Sequence, residues 1–284
     1  MSQVRFLPGV FALSCSRREN DFTTGIRAPF NLYSFQVYIL QVIPAKEVRG
    51  AALATMLLPS NSQPIFQGEM SNPRRIHCFS GLGADHRLFN NLALPGFDLC
   101  PVQWLVPEPS ESIPDYTYRL ASKIELSSDD IFLGVSFGGI ICQELALIHK
   151  PARLIIVSSL TDSSQMPAVF RVINNRLTRF FLSGGPKRAA IPIVAWLNGI
   201  TSSADREILV QMSKDTDPRF LRWGMQQLLC WKPSGAVDDL IHIHGTKDLM
   251  IPFRGVNPTH IIEGGSHFMI MNRSEEISRL IQTV

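Results

Sequence analysis

The chain has 284 residues, of which 45% are apolar and 18% charged, so it is long enough to bury a sizeable core. Its net charge of +3 does not indicate a nucleic-acid partner or a membrane surface. No apolar run reaches the roughly 18 residues needed to span a bilayer, and the five scattered cysteines form no C-x-x-C pair. We therefore expect reduced thiols, a cytoplasmic location, no nucleic-acid partner and no membrane span.

Residues 1–69 differ from the rest of the chain. Neither helical nor strand periodicity persists there, and Pro, Gly, Ser and Asn interrupt the short apolar runs. The apolar run at 6–14 ahead of Cys15 has one basic residue before it, Arg5, and a poor cleavage pattern, so export is only the lesser alternative. We interpret 1–69 as a poorly ordered N-terminal extension and 70–284 as the folded domain, with Met70 as an alternative start of the protein.

From residue 75 onward, apolar runs separated by turn residues predict alternating strands and helices. The predicted strands are 76–79, 97–106, 131–135, 154–157, 240–244 and 260–262; the predicted helices are 87–92, 113–124, 137–149 and 275–284, the last with Ser274 as its N-cap. This alternation implies an α/β domain with a doubly wound, mostly parallel sheet. Residues 163–235 lack strand patterns and carry helical ones, at 169–182 and 219–231, so we predict a helical lid insertion there.

A G-x-S-x-G pattern occupies residues 134–138, directly between a predicted strand and an apolar helix. This is the position of a nucleophile elbow, a sharp turn that exposes a serine hydroxyl above the sheet. The turn needs glycine on both sides because a Cβ atom at Gly134 or Gly138 would clash with neighbouring backbone. We interpret Ser136 as a nucleophile. The alternative is a glycine-rich turn in which the serine is incidental.

A serine nucleophile needs a base, and the base needs an orienting acid. After a nucleophile elbow the chain order is serine, acid, histidine. Asp248 follows the predicted strand 240–244, and His267 lies in a loop after the last strand. Both fall at the carboxyl ends of strands, where open α/β sheets bind ligands. We predict Asp248 as the acid and His267 as the base, with Asp162 as an alternative acid; a surface-turn aspartate and a loop histidine are the structural alternatives.

Acyl transfer also needs two backbone N–H groups to stabilise the oxyanion. One is expected from the residue after the nucleophile, Phe137, and the other from the loop after the first strand of the domain. That loop reads Ser-Gly-Leu-Gly at residues 80–83, and its flanking glycines leave the backbone of Leu82 accessible. We predict the N–H groups of Leu82 and Phe137 as the oxyanion hole.

Other polar residues carry weaker patterns. His242 and His244 share a face of one predicted strand. They are either a pair of metal ligands or sheet histidines with satisfied hydrogen bonds. No third ligand clusters with them in the sequence, so we predict no metal site. His86, near the predicted oxyanion loop, is either a surface residue at a helix start or a substrate contact. The sequence contains no phosphate-binding glycine motif, and we expect no cofactor.

These residues, in this order, resemble the α/β-hydrolase superfamily over residues 75–284, and in particular its small bacterial members. Ser80 stands where many members have the histidine of a His-Gly-x-Gly loop, and two early strands of larger members are absent or lie within 31–43. The resemblance implies the α/β-hydrolase fold and a serine hydrolase that acts on an ester, thioester or related carbonyl.

The resemblance leaves several activities open. An acyltransferase, a lyase or a carbon–carbon hydrolase would use the same residues, and a non-catalytic ligand- or partner-binding protein is the alternative from another class. For the enzyme we expect a small-molecule substrate with an apolar acyl group. No particular oligomeric state is indicated.

Overall fold

The computed structural model describes residues 73–166 and 187–283. The extension predicted at 1–69, the alternative start at Met70 and the helix predicted at 169–182 lie outside the described residues. Within them, no helix is long and apolar enough to cross a lipid bilayer.

A six-stranded sheet forms the centre of the described part of the chain. Its strands are β1 (Arg74–Phe79), β2 (Phe97–Pro101), β3 (Ile131–Val135), β4 (Arg153–Val157), β5 (Leu240–Gly245) and β6 (His260–Ile262). The strand order is β2-β1-β3-β4-β5-β6, and every neighbouring pair is parallel. The predicted parallel sheet is therefore confirmed, and the carboxyl ends of all six strands lie at one edge.

Helices connect the strands. The described ones are α1 (Ile113–Ala121), α2 (Phe137–Ile148), α3 (Lys187–Leu197), α4 (Ser203–Asp215), α5 (Pro218–Cys230), α6 (Met269–Asn272) and α7 (Ser274–Thr283). The central strand β3 is buried along its whole length, as expected for a parallel sheet covered on both faces. Its residues alternate between two cores: Leu133 and Val135 belong to the core that includes α7, and Phe132 to the core that includes α1 and α2.

The strand predicted at 97–106 is shorter than expected. Its last paired residue is Pro101, opposite Cys78 of β1. The next backbone N–H, that of Val102, still donates to the carbonyl of Cys78 at 2.9 Å. Beyond it the backbone N–H of Leu105 donates to the hydroxyl of Tyr116 on α1, so the apolar residues that continued the strand pattern pack against a helix instead.

The helix predicted at 87–92 is also wrong in length and type. The chain forms a single 3₁₀ turn over His86–Phe89, with the carboxylate of Asp85 accepting from the backbone N–H of Arg87. Leu88 and Phe89 are buried, and these two side chains account for the apolar pattern. Asn90 and Asn91 follow, residue types that favour turns over helix interiors.

Between β4 and β5 the described residues form helices and no strand, as predicted. After the 3₁₀ turn Ser163–Gln165 come α3, α4 and α5. Helix α5 begins after Asp217, whose carboxylate accepts from the backbone N–H of Arg219, and has Pro218 in its first turn.

Candidate active site

Ser136 lies in the turn between β3 and α2, with φ of +53° and ψ of −118°. A non-glycine residue with positive φ is strained and persists only where its surroundings impose it. A Cβ atom at Gly138 would overlap the carbonyl oxygen of Phe79, and one at Gly134 would lie 2.5 Å from the carbonyl oxygen of Gly138. The tight strand-to-helix turn predicted from G-x-S-x-G is present, and both glycines are sterically required.

Three hydrogen bonds hold the backbone of Ser136. Its N–H donates to the carbonyl of Val157 at 3.0 Å, and its carbonyl accepts from the N–H of Gly139 at 3.0 Å. The hydroxyl of Ser159 donates to the same carbonyl at 2.7 Å. Ser159 follows the neighbouring strand β4, and no pattern in the sequence linked it to the elbow.

The three side chains predicted as nucleophile, base and acid lie in one hydrogen-bonded row. Nε2 of His267 is 3.1 Å from Oγ of Ser136, and Nδ1 of His267 is 2.8 Å from Oδ2 of Asp248. Asp248 is buried, His267 is only 8% exposed, and Ser136 is partly exposed. The row therefore runs from the buried Asp248 to Ser136, a partly exposed residue.

The carboxylate of Asp248 is held by its own loop. Its Oδ1 accepts the backbone N–H groups of Met250 and Ile251 at 2.9 and 2.8 Å. Burial acts to raise the pKa of Asp248, but the charge interaction and hydrogen bond with His267, together with the N–H of Ile251, outweigh it and lower the pKa below its ordinary value. The group is thus ionised at neutral pH, and its Oδ2 is directed at His267.

His242 and His244 share a face of β5, as predicted, and contact each other: Nε2 of His242 lies 3.2 Å from Nδ1 of His244. Nε2 of His244 donates to the carbonyl of Ile251 at 2.9 Å, so Nδ1 of a neutral His244 accepts from His242. Burial lowers the pKa of both, that of His242 to about 4 with a contribution from His244, so the pair is neutral. In the described ranges no three His, Cys, Asp or Glu side chains are grouped as a metal site requires.

Asp162 and His86, which the sequence left as alternatives, make other contacts. The carboxylate of Asp162 accepts from the backbone N–H of Ser164 at 2.7 Å and caps a 3₁₀ turn, whereas Nδ1 of His267 is bonded to Asp248. The side chain of His86 is 64% exposed and lies 3.8 Å from the carboxylate of Asp85.

The loop after β1, residues 80–84, passes directly beside the elbow. A Cβ atom at Gly81 would be only 3.5 Å from Cβ of Ser136. The N–H of Ala84 donates to the carbonyl of Gly81 at 3.1 Å, and Gly83 has φ of +82°, which fits the third position of a type II turn. Among the residues described, none accepts a hydrogen bond from the N–H of Leu82 or of Phe137. Within 73–166 and 187–283, both predicted oxyanion donors are thus without a protein acceptor.

No protein-family model matches the chain, and no curated protein sequence matches it. Solved structures do resemble the chain. A thermophilic esterase from Thermogutta terrifontis matches with a TM-score of 0.58 at 15% identity, covering 74% of this chain and 88% of its own. An esterase from Exiguobacterium antarcticum matches with a TM-score of 0.60 at 13% identity, covering 74% and 91%. The esterase RhEst1 from Rhodococcus sp. matches with a TM-score of 0.53 at 15% identity, covering 74% and 89%.

At such low identity these likenesses concern the fold. They agree with the parallel six-stranded sheet and the helices between its strands. The chain has the α/β-hydrolase fold.

Proposed function

We propose that the protein is a serine hydrolase that cleaves an ester, thioester or related carbonyl compound through an acyl-enzyme. Ser136 is the nucleophile, His267 the general base and Asp248 the orienting acid. The observation that carries the proposal is the unbroken row of hydrogen bonds, 2.8 Å from Asp248 to His267 and 3.1 Å from His267 to Ser136. Each member has the partner that its role needs, and the row ends at a partly exposed hydroxyl.

In the first step Oγ of Ser136 attacks the carbonyl carbon while Nε2 of His267 takes the hydroxyl proton. The N–H groups of Leu82 and Phe137 stabilise the negative oxygen of the tetrahedral intermediate. When the bond to the leaving group breaks, His267 returns the proton to it, and the acyl group stays on Ser136. Water then attacks the acyl-enzyme with His267 as base, which releases the carboxylic acid and restores the hydroxyl.

Asp248 supports this cycle without exchanging a proton itself. Its Oδ2 accepts from Nδ1 of His267, which leaves Nε2 unprotonated and facing Ser136. When His267 becomes an imidazolium, the buried negative charge of Asp248 stabilises it.

The substrate we propose is a small molecule with an apolar acyl group. The similar solved structures include proteins named esterases, which favours ester chemistry over the lyase and acyltransferase alternatives. Helix α5 of the insertion contacts the proposed oxyanion loop, since the side chain of Leu82 lies so close to Gly224 that a Cβ atom there would overlap it. The insertion at 163–235 is therefore well placed to act as a lid that selects the acyl group.

A fluorophosphonate probe with a fluorescent tag tests the proposal. Ser136 Oγ attacks phosphorus, fluoride leaves, and the hydroxyl proton passes to His267, so labelling reports the nucleophile whatever the natural substrate is. We expect labelling of the wild-type protein at the tryptic peptide that carries Ser136, and loss of labelling in Ser136→Ala and His267→Ala. His86→Ala, which removes an exposed histidine, is the control and should label normally.

Hydrolysis of p-nitrophenyl esters of increasing acyl length then measures turnover. Absence of labelling in folded wild-type protein, or equal labelling after His267→Ala, would refute the hydrolase. Labelling without release of acid, but with transfer to an added alcohol or thiol, would identify an acyltransferase.

A further inference from the structure

An indole N–H is hydrogen-bonded to the proposed oxyanion loop. Nε1 of Trp104 donates to Oγ of Ser80 at 2.9 Å. The hydroxyl of Ser80 in turn donates to the carbonyl of Ala84 at 2.9 Å. Ser80 and Ala84 are the two ends of the loop, so this pair of bonds spans the turn whose second residue is Leu82.

Packing restrains the side chain of Leu82, which lies against Gly224 of helix α5, but within the described residues few hydrogen bonds hold the backbone of the turn. Inside it, the N–H of Ala84 donates to the carbonyl of Gly81, and two of the four residues from 81 to 84 are glycines. Glycine gives the backbone wide freedom, so a glycine-rich turn needs a contact from outside to hold one conformation. The Ser80 hydroxyl, buried and bonded on both sides, supplies that contact.

The ring of Trp104 is itself held by aromatic side chains. It stacks on Phe220 of helix α5, with ring centroids 5.1 Å apart and 22° between the planes. It meets Phe137, the residue after the nucleophile, edge to face at 6.2 Å. Trp104 therefore connects the insertion, the elbow and the loop after β1 through one rigid side chain.

An oxyanion hole accelerates acyl transfer only when its donors already point to the place where the negative oxygen forms. The donors proposed here lie on Leu82, in the loop, and on Phe137, in the elbow. Trp104 contacts the ring of Phe137 and the hydroxyl at the base of the loop, so one side chain touches both segments that carry the proposed donors.

We infer that Trp104 and Ser80 are positioning residues of the oxyanion hole: their hydrogen bond holds the N–H of Leu82 in the orientation that stabilises the transition state. The inference rests on the proposed function and deepens it. It predicts that loss of this single hydrogen bond slows the chemical step and leaves ligand binding unchanged.

Trp104→Phe separates this role from simple packing, because phenylalanine keeps an aromatic ring against Phe220 and lacks the N–H. Ser80→Ala removes the other partner of the same bond. Trp223→Phe is the matched control, since Trp223 belongs to the same aromatic group and its Nε1 donates at 2.7 Å to the carbonyl of Glu111. That carbonyl also accepts from Gln227 at 3.3 Å, so it keeps a partner in the control.

The experiment measures saturation kinetics of Ser136 phosphonylation by an alkyl fluorophosphonate, with the limiting rate and the half-saturating concentration determined separately. For Trp104→Phe and for Ser80→Ala we expect a limiting rate lower by about five- to tenfold, the scale of one lost hydrogen bond, with half-saturation within about twofold. The double variant should be no slower than Ser80→Ala, because Ser80→Ala already deletes the bond from Trp104, together with the bond to the carbonyl of Ala84. Ser80→Thr, which keeps a hydroxyl, should recover most of the rate, and Trp223→Phe should match the wild type.

Other results would overturn the inference. An unchanged limiting rate in both single variants, a change in half-saturation alone, or additive losses in the double variant would each do so, as would an equal loss in Trp223→Phe. If Trp104→Phe fails to fold, as judged by circular dichroism, Ser80→Ala and Ser80→Thr decide the question. Absence of Ser136 labelling in the wild type refutes the proposed function and this inference with it, whereas normal wild-type labelling with unaffected variants refutes the inference alone.

Discussion

Nε2 of His244 lies 3.6 Å from Oδ2 of Asp248, the same carboxylate oxygen that is bonded to His267. The N–H of His244 is already donated to the carbonyl of Ile251 at 2.9 Å. His244 therefore faces the carboxylate as a neutral dipole and leaves the strong hydrogen bond at Oδ2 to His267. The neutrality of His244, and of His242 behind it, depends on their burial in the sheet.

We expect this buried pair to make the protein acid-sensitive. The pKa of His242 is about 4 in the folded protein and 6.5 in the unfolded chain, because burial and His244 disfavour the charged form. Between these two pH values the unfolded chain binds more protons than the folded protein. The free energy of unfolding is therefore undiminished above pH 6.5 and decreases as the pH falls towards 4. The full shift of the pKa corresponds to a decrease in the free energy of unfolding on the order of 3 kcal/mol.

The variant His242→Gln tests this sign, because glutamine keeps an N–H donor for His244 and does not titrate. Urea denaturation at several pH values from 7 to 4.5 should show a shallower loss of stability in the variant than in the wild type. His86→Gln, at an exposed position, should follow the wild type. A slope that is unchanged in His242→Gln would contradict the prediction.

Asp248→Asn should lower kcat for ester hydrolysis by about 10³- to 10⁴-fold. Asparagine retains an oxygen for the N–H groups of Met250 and Ile251, so its NH₂ faces His267. Nδ1 of His267 must then be the acceptor, which places the proton on Nε2 and removes the base from Ser136. Asp162→Asn is the control: it keeps the cap of a 3₁₀ turn and should leave kcat within about twofold. A large loss of kcat in Asp162→Asn, with kcat nearly unchanged in Asp248→Asn, would assign the acid to Asp162.

Gly138→Ala should lower the free energy of unfolding by at least about 2 kcal/mol. The new Cβ atom would overlap the carbonyl oxygen of Phe79 and lie 2.5 Å from that of Ser80, and both are backbone atoms, which shift less readily than the end of a flexible side chain. Gly235→Ala is the matched control, since its nearest atom would be a methyl group of Leu147 at 3.3 Å. Urea denaturation compares the two variants. Similar stabilities would mean that the elbow backbone adapts more readily than its geometry indicates.

The sheet was largely predictable because most residues of its interior strands are buried and apolar. The predicted bounds of β3 and β6 match the structure, and the helix after Ser136 begins where the glycines and the apolar run place it. The end of β2 was not predictable from periodicity. Val102, Trp104 and Leu105 continue the strand pattern, but they pack against the core that contains Tyr116. Periodicity does not distinguish one apolar environment from another.

The candidate site likewise has some features that could be predicted from the sequence and others that could not. Ser136, Asp248 and His267 were identifiable because each follows a strand in an order that the chemistry requires. The bond from Trp104 to Ser80 was not identifiable, since the residues are 24 positions apart and nothing in their types marks the contact. The approach of His244 to Asp248 likewise depends on how the chain turns after β5.

The insertion leaves the sheet after β4 and returns at β5, two strands that pair side by side. The groups assigned to the chemistry follow four strands, β1, β3, β5 and β6, and none of them follows β4. If the proposed roles hold, substrate preference and bond cleavage are encoded in separate stretches of the gene, and recombination could exchange one and keep the other. The exception is Phe220 on α5, which holds the indole beside the oxyanion loop, so an exchanged insertion would have to bring an equivalent aromatic side chain with it.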